Sequence, residues 1–212
     1  MGNQIAQAHA AEPPFVTSVM SPRRSVTVSG DIRLSTVPLE PVDVLVVPGF
    51  DIINTGDLDD YLTKLRPEIV AATRHFEDGG TVVSICIGAF LLAEAGILDN
   101  RTATTSWLYS AQLQERHPNI HVSPEHLVIN DSGITTTAAF SATYDFVLSL
   151  IERHSGPKIS RKTARVALLD DARPANLRTS TKPCSRPQTP ASPAKYSATW
   201  TATWPSATTS PP

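Results

Sequence analysis

The chain has 212 residues, with 18 basic and 20 acidic side chains and no long run of like charge. A formal net charge of −2 excludes recognition of nucleic acid or anionic membranes through a large basic surface. No apolar stretch approaches the roughly 20 residues of a membrane-spanning helix, and the N-terminal residues lack the basic start and apolar core of a secretory signal.

The cysteine content indicates the cellular compartment of the protein, and a change in composition divides the chain into a domain and a tail. Cys86 and Cys184 are too few for a disulfide framework, and no Cys/His cluster has metal-binding spacing. We therefore expect a cytoplasmic protein without a metal or a cofactor. Residues 173–212 contain no Asp or Glu and are rich in Pro, Ser, Thr and Ala. Such a segment buries too little apolar area to offset its ordering entropy, so it is predicted to be a disordered tail.

The first half of the chain alternates strand-like and helix-like runs. Strands are predicted at residues 15–20, 25–30, 42–50 and 81–85. Residues 58–80 have the spacing of an amphipathic helix, which Pro67 divides into two pieces and Gly79-Gly80 ends. An apolar helix is predicted at residues 88–98.

The second half continues the alternation. A short strand at 102–106 precedes a helix at 107–117, and two strands at 127–140 flank the hairpin-like turn Asp131-Ser132-Gly133. Ser141 is predicted to cap a helix at 142–156, and a basic helix follows at 158–172. Alternation of this kind predicts an α/β fold in which helices cover a mostly parallel sheet.

Cys86 lies at the junction between the predicted strand at 81–85 and the apolar helix. Such a turn places a side chain at the carboxyl edge of the sheet, where open α/β sheets form their sites. The first turn of a helix also favours an anion, which includes a thiolate. The alternative is that Cys86 is a small buried apolar side chain, because free cysteines are among the most buried residues. The local sequence does not decide between these two roles.

Three segments together resemble a known superfamily: "DVLVVPGF", "GGTVVSICIGAFLLAEAGILDNRTATTSW" and "DSGITTTAAFSATYDFVLSLIERHSG". They are similar to the ThiJ/PfpI superfamily, the class I glutamine amidotransferase-like fold, and within it to the N-terminal domain of AraC-type transcriptional regulators. The resemblance covers residues 15–172 and implies a flavodoxin-like three-layer α/β/α sandwich that forms a homodimer. Residues 1–14 would be the remnant of an N-terminal helix, and the first strand of the sheet would be missing.

The resemblance also implies a site. Cys86 would be the nucleophile at a sharp elbow, and the ligand pocket would be formed by Gly49, Phe50, Ile87, Gly88 and Trp107. The backbone N–H groups of Phe50 and Ile87 would flank the thiol as oxyanion donors. Two of these residues have an alternative role: Phe50 either narrows the pocket or covers apolar surface, and Trp107 either lines the pocket or packs in the core.

The sequence departs from its catalytic relatives at the positions that would activate the thiol. Ser106 occupies the place of the partner histidine, and a serine is no general base near neutral pH. Ile87 replaces the threonine of the isocyanide-hydratase branch. The six histidines of the chain lie away from the motif position and are expected on loops or the surface.

Both ends of the chain also differ from the family pattern. The helix that carries the acidic partner of the cysteine is lacking at the front, so the reading frame is interpreted as starting too late or as part of a decayed gene. At the back, the tail replaces a helix-turn-helix pair and is interpreted as an out-of-frame extension. We therefore expect no direct binding of nucleic acid by this chain.

Two classes of function follow. The first is a ligand-sensing domain of a transcriptional regulator, with an unknown small-molecule ligand and no turnover. The second is a ThiJ/PfpI enzyme, of the isocyanide-hydratase or amidohydrolase kind, that uses Cys86. A redox sensor based on Cys86 is a third possibility, because oxidation needs only an accessible thiolate. The absent base and acid favour the first class, since their loss lowers turnover by orders of magnitude.

Overall fold

The computed structural model describes residues 15–28, 31–50 and 58–169. The strands are β1 (Ser25–Val28), β2 (Ile32–Ser35), β3 (Val44–Val47), β4 (Thr81–Ile85), β5 (Thr102–Ala103), β6 (His121–Val122), β7 (Val128–Asp131) and β8 (Ile134–Thr137). The helices are α1 (Leu58–Lys64), α2 (Arg66–Glu77), α3 (Ala89–Glu94), α4 (Ser110–Arg116), α5 (Ala142–Ser155) and α6 (Pro157–Val166), with a 3-10 turn at Cys86–Gly88. The predicted N-terminal remnant and the predicted disordered tail lie outside the described residues.

A four-stranded sheet forms the centre of the fold, in the order β3-β4-β8-β7. Strands β3, β4 and β8 are parallel, and β7 runs antiparallel to β8 as the hairpin prediction requires. Val82, Val83 and Ser84 of β4 are fully buried, which explains why this strand reads as a continuous run without alternation. The chain thus has an α/β, flavodoxin-like fold. The pairs β1–β2 and β5–β6 form two smaller sheets.

The strand predicted at residues 15–20 is wrong. Residues 15–19 carry no strand, and only Met20 forms an isolated bridge, to Val37. Val16 is 94% exposed and Val19 is 47% exposed. Only Phe15 packs against a small apolar cluster, formed by Ile151 and Ile159, so the valines of this segment stay largely outside a core. Within the described residues, β3 pairs with β4 alone and Val46 is exposed. Among the described strands, β3 therefore forms an open edge of the central sheet.

The helix boundaries follow local chemistry at two of three predicted points. Pro67 lies in the first turn of α2, where its missing N–H costs nothing, and the helix pattern at 58–80 is divided there as predicted. Gly79 adopts a φ of 83° and its N–H bonds to Phe76, while the next N–H bonds to the carbonyl of His75. This is the Schellman arrangement that ends a helix. The cap predicted at Ser141 is wrong, because its backbone is helical and its side chain forms no capping hydrogen bond.

The core is built around α3. All residues from Ala89 to Ala93 are buried, since this short helix lies on the sheet and is covered by neighbouring elements. Its apolar partners come from β4, from α1 and from the segment around α4. The largest fully buried side chains are Phe90, Leu92, Leu98, Leu113 and Ile120. The continuous apolar run that follows Cys86 in the sequence therefore anchors the turn at which Cys86 lies.

Two charged side chains, Arg116 and Asp131, connect elements around this core. The Arg116 guanidinium on α4 lies 2.6 Å from Glu94 on α3 and 2.7 Å from Asp59 on α1. The hydrogen bond to Glu94 is the main cause of a raised pKa for Arg116. Asp131 at the end of β7 accepts the backbone N–H of Thr102 at 2.9 Å, which ties the short strand β5 to the central sheet. Among the described residues, no helix combines the length and the apolar character needed to cross a membrane.

Asp131 gives a pH-dependent test of this connection. The hydrogen bond from the Thr102 N–H, followed by that from Ser132, lowers the pKa of Asp131 below its ordinary value. Its contribution to stability is therefore complete above the unfolded carboxyl pKa near 4 and is lost as pH falls through the folded value. Because the side chain is partly exposed, we expect Asp131→Asn to lower the free energy of unfolding by only about 0.5–1 kcal/mol at neutral pH.

The measurement is urea unfolding of both proteins between about pH 3 and pH 7. The difference between the two should shrink as the pH falls below about 4. Asp99→Asn, at an exposed turn, is the control and should change stability by less than about 0.5 kcal/mol at neutral pH. A wild-type advantage that grows on acidification would contradict the proposed role of the Asp131 carboxylate.

Candidate functional site

Cys86 lies at the point where β4 turns into α3. Ile85 is still extended, with φ −109° and ψ 122°, and Cys86 then adopts a φ of 52° at the start of the 3-10 turn. A non-glycine residue in the left-handed region costs about 1 kcal/mol or more, so the surrounding structure must hold it there. The elbow predicted at Cys86 is present in the backbone, and the side chain is neither fully buried nor fully exposed.

Two glycines allow the end of β3 to approach this elbow. A Cβ atom added to Gly88 would lie 2.7 Å from the carbonyl oxygen of Val47 and 2.8 Å from that of Pro48. A Cβ added to Gly49 would lie 3.5 Å from the Cβ of Cys86 and 3.2 Å from the Ile85 carbonyl oxygen. Larger side chains would separate the two loops. The structure therefore brings together three of the predicted site residues: Gly49, Cys86 and Gly88.

A pair of threonines after β5 connects this elbow to the rest of the sheet edge. The hydroxyl of Thr105 donates to the carbonyl oxygen of Cys86 at 2.8 Å, and the hydroxyl of Thr104 donates to that of His126 at 2.8 Å. Both threonines are fully buried. The half-buried Ser106 follows directly, which places it beside the segment that contacts the Cys86 backbone.

The thiol itself has no activating partner among the described residues. Within residues 15–28, 31–50 and 58–169, no hydrogen bond or ion pair reaches the Cys86 sulfur. The cysteine is free of disulfide bonding. This part of the chain also contains no group of three His, Cys, Asp or Glu side chains arranged to hold a metal ion. The described groups that contact the Cys86 backbone are a hydroxyl and backbone amides.

The remaining predicted pocket residues differ in their environment. The side chain of Ile87 is 2% exposed and packs in the core, so this residue can offer only its backbone to a pocket. Phe50 packs against the core and stacks on Tyr61, with ring centroids 5.7 Å apart, which matches its covering role. Trp107 is 76% exposed, so the alternative of core packing is wrong. The turn after β5 carries its ring away from the core before α4 begins.

A polar cluster near the same sheet edge was missed by the sequence analysis. The hydroxyl of Ser123 lies 2.7 Å from Nδ1 of His126 and 2.5 Å from a carboxylate oxygen of Glu125. The bond from Ser123 is the main cause of a lowered pKa for Glu125. His126 precedes the antiparallel strand β7, so it lies at the edge where the parallel strands end. Its loop position agrees with the prediction, but no motif in the sequence points to its two neighbours.

Comparison with known proteins decides the family. The sequence model described as the DJ-1/PfpI family matches residues 7–153. The chain belongs to the DJ-1/PfpI family. The HTH-type transcriptional regulator CdhR of Pseudomonas aeruginosa is 33% identical over 139 residues, which is 65% of this chain and 38% of CdhR. The isonitrile hydratase of Pseudomonas putida is 28% identical over 116 residues, which is 54% of this chain and 46% of the hydratase.

Solved structures agree with this assignment of the fold. An AraC family transcriptional regulator from Pseudomonas putida has a TM-score of 0.57 at 21% identity, covering 78% of this chain and 88% of that chain. DJ-1beta of Drosophila melanogaster has a TM-score of 0.56 at 20% identity, covering 69% of this chain and 78% of that chain. The match spans less than half of each of the two curated relatives named above.

The elbow of this DJ-1/PfpI chain combines several backbone and packing features. The left-handed cysteine, the two close glycines and the apolar helix after the turn are all present. The position expected for the histidine partner holds Ser106. What the described arrangement can offer a ligand is an exposed indole at Trp107, amide and hydroxyl groups, and a thiol.

Gly88 provides a test of how tightly the elbow is packed. Its absent Cβ would meet backbone oxygens, which cannot rotate away as a side chain would. We expect Gly88→Ala to lower the free energy of unfolding by about 1–3 kcal/mol. Urea unfolding monitored by circular dichroism gives this value.

Gly79→Ala is the matched control. Gly79 has a positive φ but no atom within 4 Å of an added Cβ, so this variant reports only the backbone strain, about 1 kcal/mol. The result that would contradict the packing argument is a Gly88→Ala variant as stable as the wild type.

Proposed function

We propose that the described domain is a ligand-sensing domain related to those of AraC-type regulators, and that it does not turn over its ligand. The observation that carries this proposal is the combination of Ser106 at the histidine position with a Cys86 sulfur that has no hydrogen-bonding partner among the described residues. A nucleophilic thiol needs a base or a positive neighbour, and a serine supplies neither. The similarity to CdhR, an HTH-type transcriptional regulator, supports the regulatory side of the proposal.

The ligand of this domain would be a small molecule bound at the carboxyl edge of the sheet. Gly49 and Gly88 bring the end of β3 against the Cys86 turn, and the exposed indole of Trp107 offers an aromatic surface. Small-molecule sites in open α/β sheets form at this edge. In this proposal the domain contributes ligand binding rather than contact with DNA.

A homodimer is the second part of the proposal, and it rests on the family resemblance. One chain has a mass of 22.8 kDa, so light scattering on the eluting protein distinguishes one chain from two. A particle with twice the mass of the single chain supports the proposal, and a particle with the mass of one chain at all protein concentrations contradicts it.

A cysteine-dependent activity is the competing function, and one observation favours it. Cys86 retains a left-handed backbone conformation that is unfavourable for any residue other than glycine, Asn or Asp. Strained conformations of this kind concentrate at functional sites. Hydration of an isocyanide, hydrolysis of an amide and reversible oxidation of the thiol are the three chemistries that a reactive Cys86 would support.

Restoring the missing imidazole separates these functions. In a Cys184→Ser background, only Cys86 reacts with iodoacetamide. We expect Ser106→His to raise the alkylation rate at pH 7 by about tenfold, because a neighbouring imidazole converts a thiol partly to the reactive thiolate. Ser110→His, one helical turn further along, is the matched control and should leave the rate unchanged.

The unmodified chain gives the decisive comparison. If it already reacts as fast as Ser106→His, or if it converts an isocyanide in a Cys86-dependent manner, the domain is an enzyme or a redox sensor. If the rate rises only in Ser106→His, the elbow of the natural sequence lacks its activating group.

A metabolite screen by thermal shift then identifies the ligand, since a true ligand raises the melting temperature of the protein and loses this effect in Gly49→Leu.

A further inference from the structure

A second concave surface lies away from the elbow, between the loops that carry Pro22 and Leu39 and the helices α1 and α2. This surface, the α2 groove, has a volume of about 670 Å³. Its lining combines apolar side chains with three cations, and none of its lining residues is acidic. The residues used below are Leu39, Lys64, Arg66, Pro67, Val70 and Arg74.

The spacing along α2 places two of the cations around an apolar centre. Arg66, Val70 and Arg74 are separated by four residues each, so they lie on one stripe of the helix. With a rise of 1.5 Å per residue, the two arginines are about 12 Å apart along the axis. Val70 is 43% exposed and Leu39 is 37% exposed, so the apolar part of the groove faces solvent.

The three cations of the groove are not held in ion pairs by the described part of the chain. Within residues 15–28, 31–50 and 58–169, no carboxylate forms an ion pair with Lys64, Arg66 or Arg74. Arg66 also borders a neighbouring hollow that Asp59 and Glu94 line. The amine of Lys64 lies 6.0 Å from the centre of the Tyr61 ring, which leaves its charge in place. One carboxylate oxygen of Glu68 accepts a hydrogen bond from the Ser21 hydroxyl at 3.4 Å. The other carboxylate oxygen is buried, and Glu68 is not among the residues that line the groove.

We propose that the α2 groove docks an acidic amphipathic helix of a protein partner. The complementary pattern is an acidic residue, an apolar residue four positions later, and a second acidic residue four positions after that. In such a helix, the apolar side chain packs on Val70, Leu39 and Pro67, while the carboxylates, about 12 Å apart, reach Arg66 and Arg74. Lys64 adds positive charge at the same end as Arg66.

The shape of the surface favours a helix over a small anion or a nucleic acid. A solvent-facing groove encloses little of a small ligand, whereas a helix covers the whole stripe. A nucleic acid would place hydrated phosphates over the apolar centre, so the exposed Val70 and Leu39 would gain no apolar contact. The site is separate from Cys86, so this inference stands whether or not the domain senses a ligand.

The test uses a fluorescein-labelled helical peptide with the pattern Glu-xxx-Leu-xxx-Glu and the full chain, with fluorescence anisotropy as the readout. We expect saturable binding that weakens at high salt, because the contact is partly electrostatic. The same peptide with Lys in place of both Glu residues should not bind. Arg66→Glu/Arg74→Glu should weaken binding of the acidic peptide by at least about tenfold and should create binding of the Lys peptide.

Lys158→Glu/Arg161→Glu on the exposed face of α6 is the matched control, since it changes the net charge by the same amount. This variant should bind the acidic peptide within about twofold of the wild type. Val70→Asp should abolish binding while circular dichroism confirms that the domain remains folded, because Val70 is exposed. The charge-swapped binding of the Lys peptide also shows that the double variant is folded.

Five outcomes overturn the proposal. The first four are an acidic peptide that does not bind, equal binding of the Glu and Lys peptides, an equal loss of affinity in the α6 control, and binding of phosphatidylglycerol vesicles or duplex DNA without binding of the peptide. Dissociation of a dimer by Arg66→Glu/Arg74→Glu would assign the groove to a second copy of this chain and would also overturn it.

Discussion

The close contact between the backbone at Gly88 and the carbonyl oxygens of Val47 and Pro48 determines the geometry of the site. Because no side chain separates them, the end of β3 lies directly against the turn that follows β4. The helix α3 then starts at once and buries its apolar residues in the core. With both flanks fixed in this way, Cys86 is held in a left-handed conformation that a free chain would avoid.

Several hydroxyl groups connect the strands at this edge of the sheet. Thr136 accepts the N–H of Thr104, and Thr137 donates to the carbonyl oxygen of Ser84 one strand away. Together with the bond from Thr105 to Cys86, these contacts join β4, β5 and β8 beneath the elbow. Buried hydroxyls with partners stabilise a unique arrangement at modest energy, and they bring no charge close to the thiol. Among the described residues, the hydrogen bonds that hold the Cys86 backbone thus come from uncharged groups.

The sequence predicts those parts of the fold that are determined by neighbours along the chain. The elbow at Cys86 and the break at Pro67 follow from short patterns, because a buried run, a proline or a glycine acts within one turn. The segment at 15–20 has the composition of a strand but pairs only at one bridge, between Met20 and Val37, which only the folded chain reveals. The threonine bond to Cys86 and the cluster at Ser123 and His126 likewise depend on distant elements, as the 19-residue separation of Thr105 and Cys86 illustrates.

The energies of these contacts bear on the choice between sensing and catalysis. Adjacent threonines connect the Cys86 loop and the His126 loop, each through one hydrogen bond worth about 1 kcal/mol. A ligand shifts such contacts only by the difference between its affinities for the two arrangements. In the proposed sensing role, a ligand that bound the shifted arrangement about 30-fold more tightly would offset both bonds, which is about 2 kcal/mol. The link through Thr104 and Thr105 would then carry occupancy of the Cys86 site to the His126 loop, whereas catalysis would require donors and a base held rigidly around the thiol.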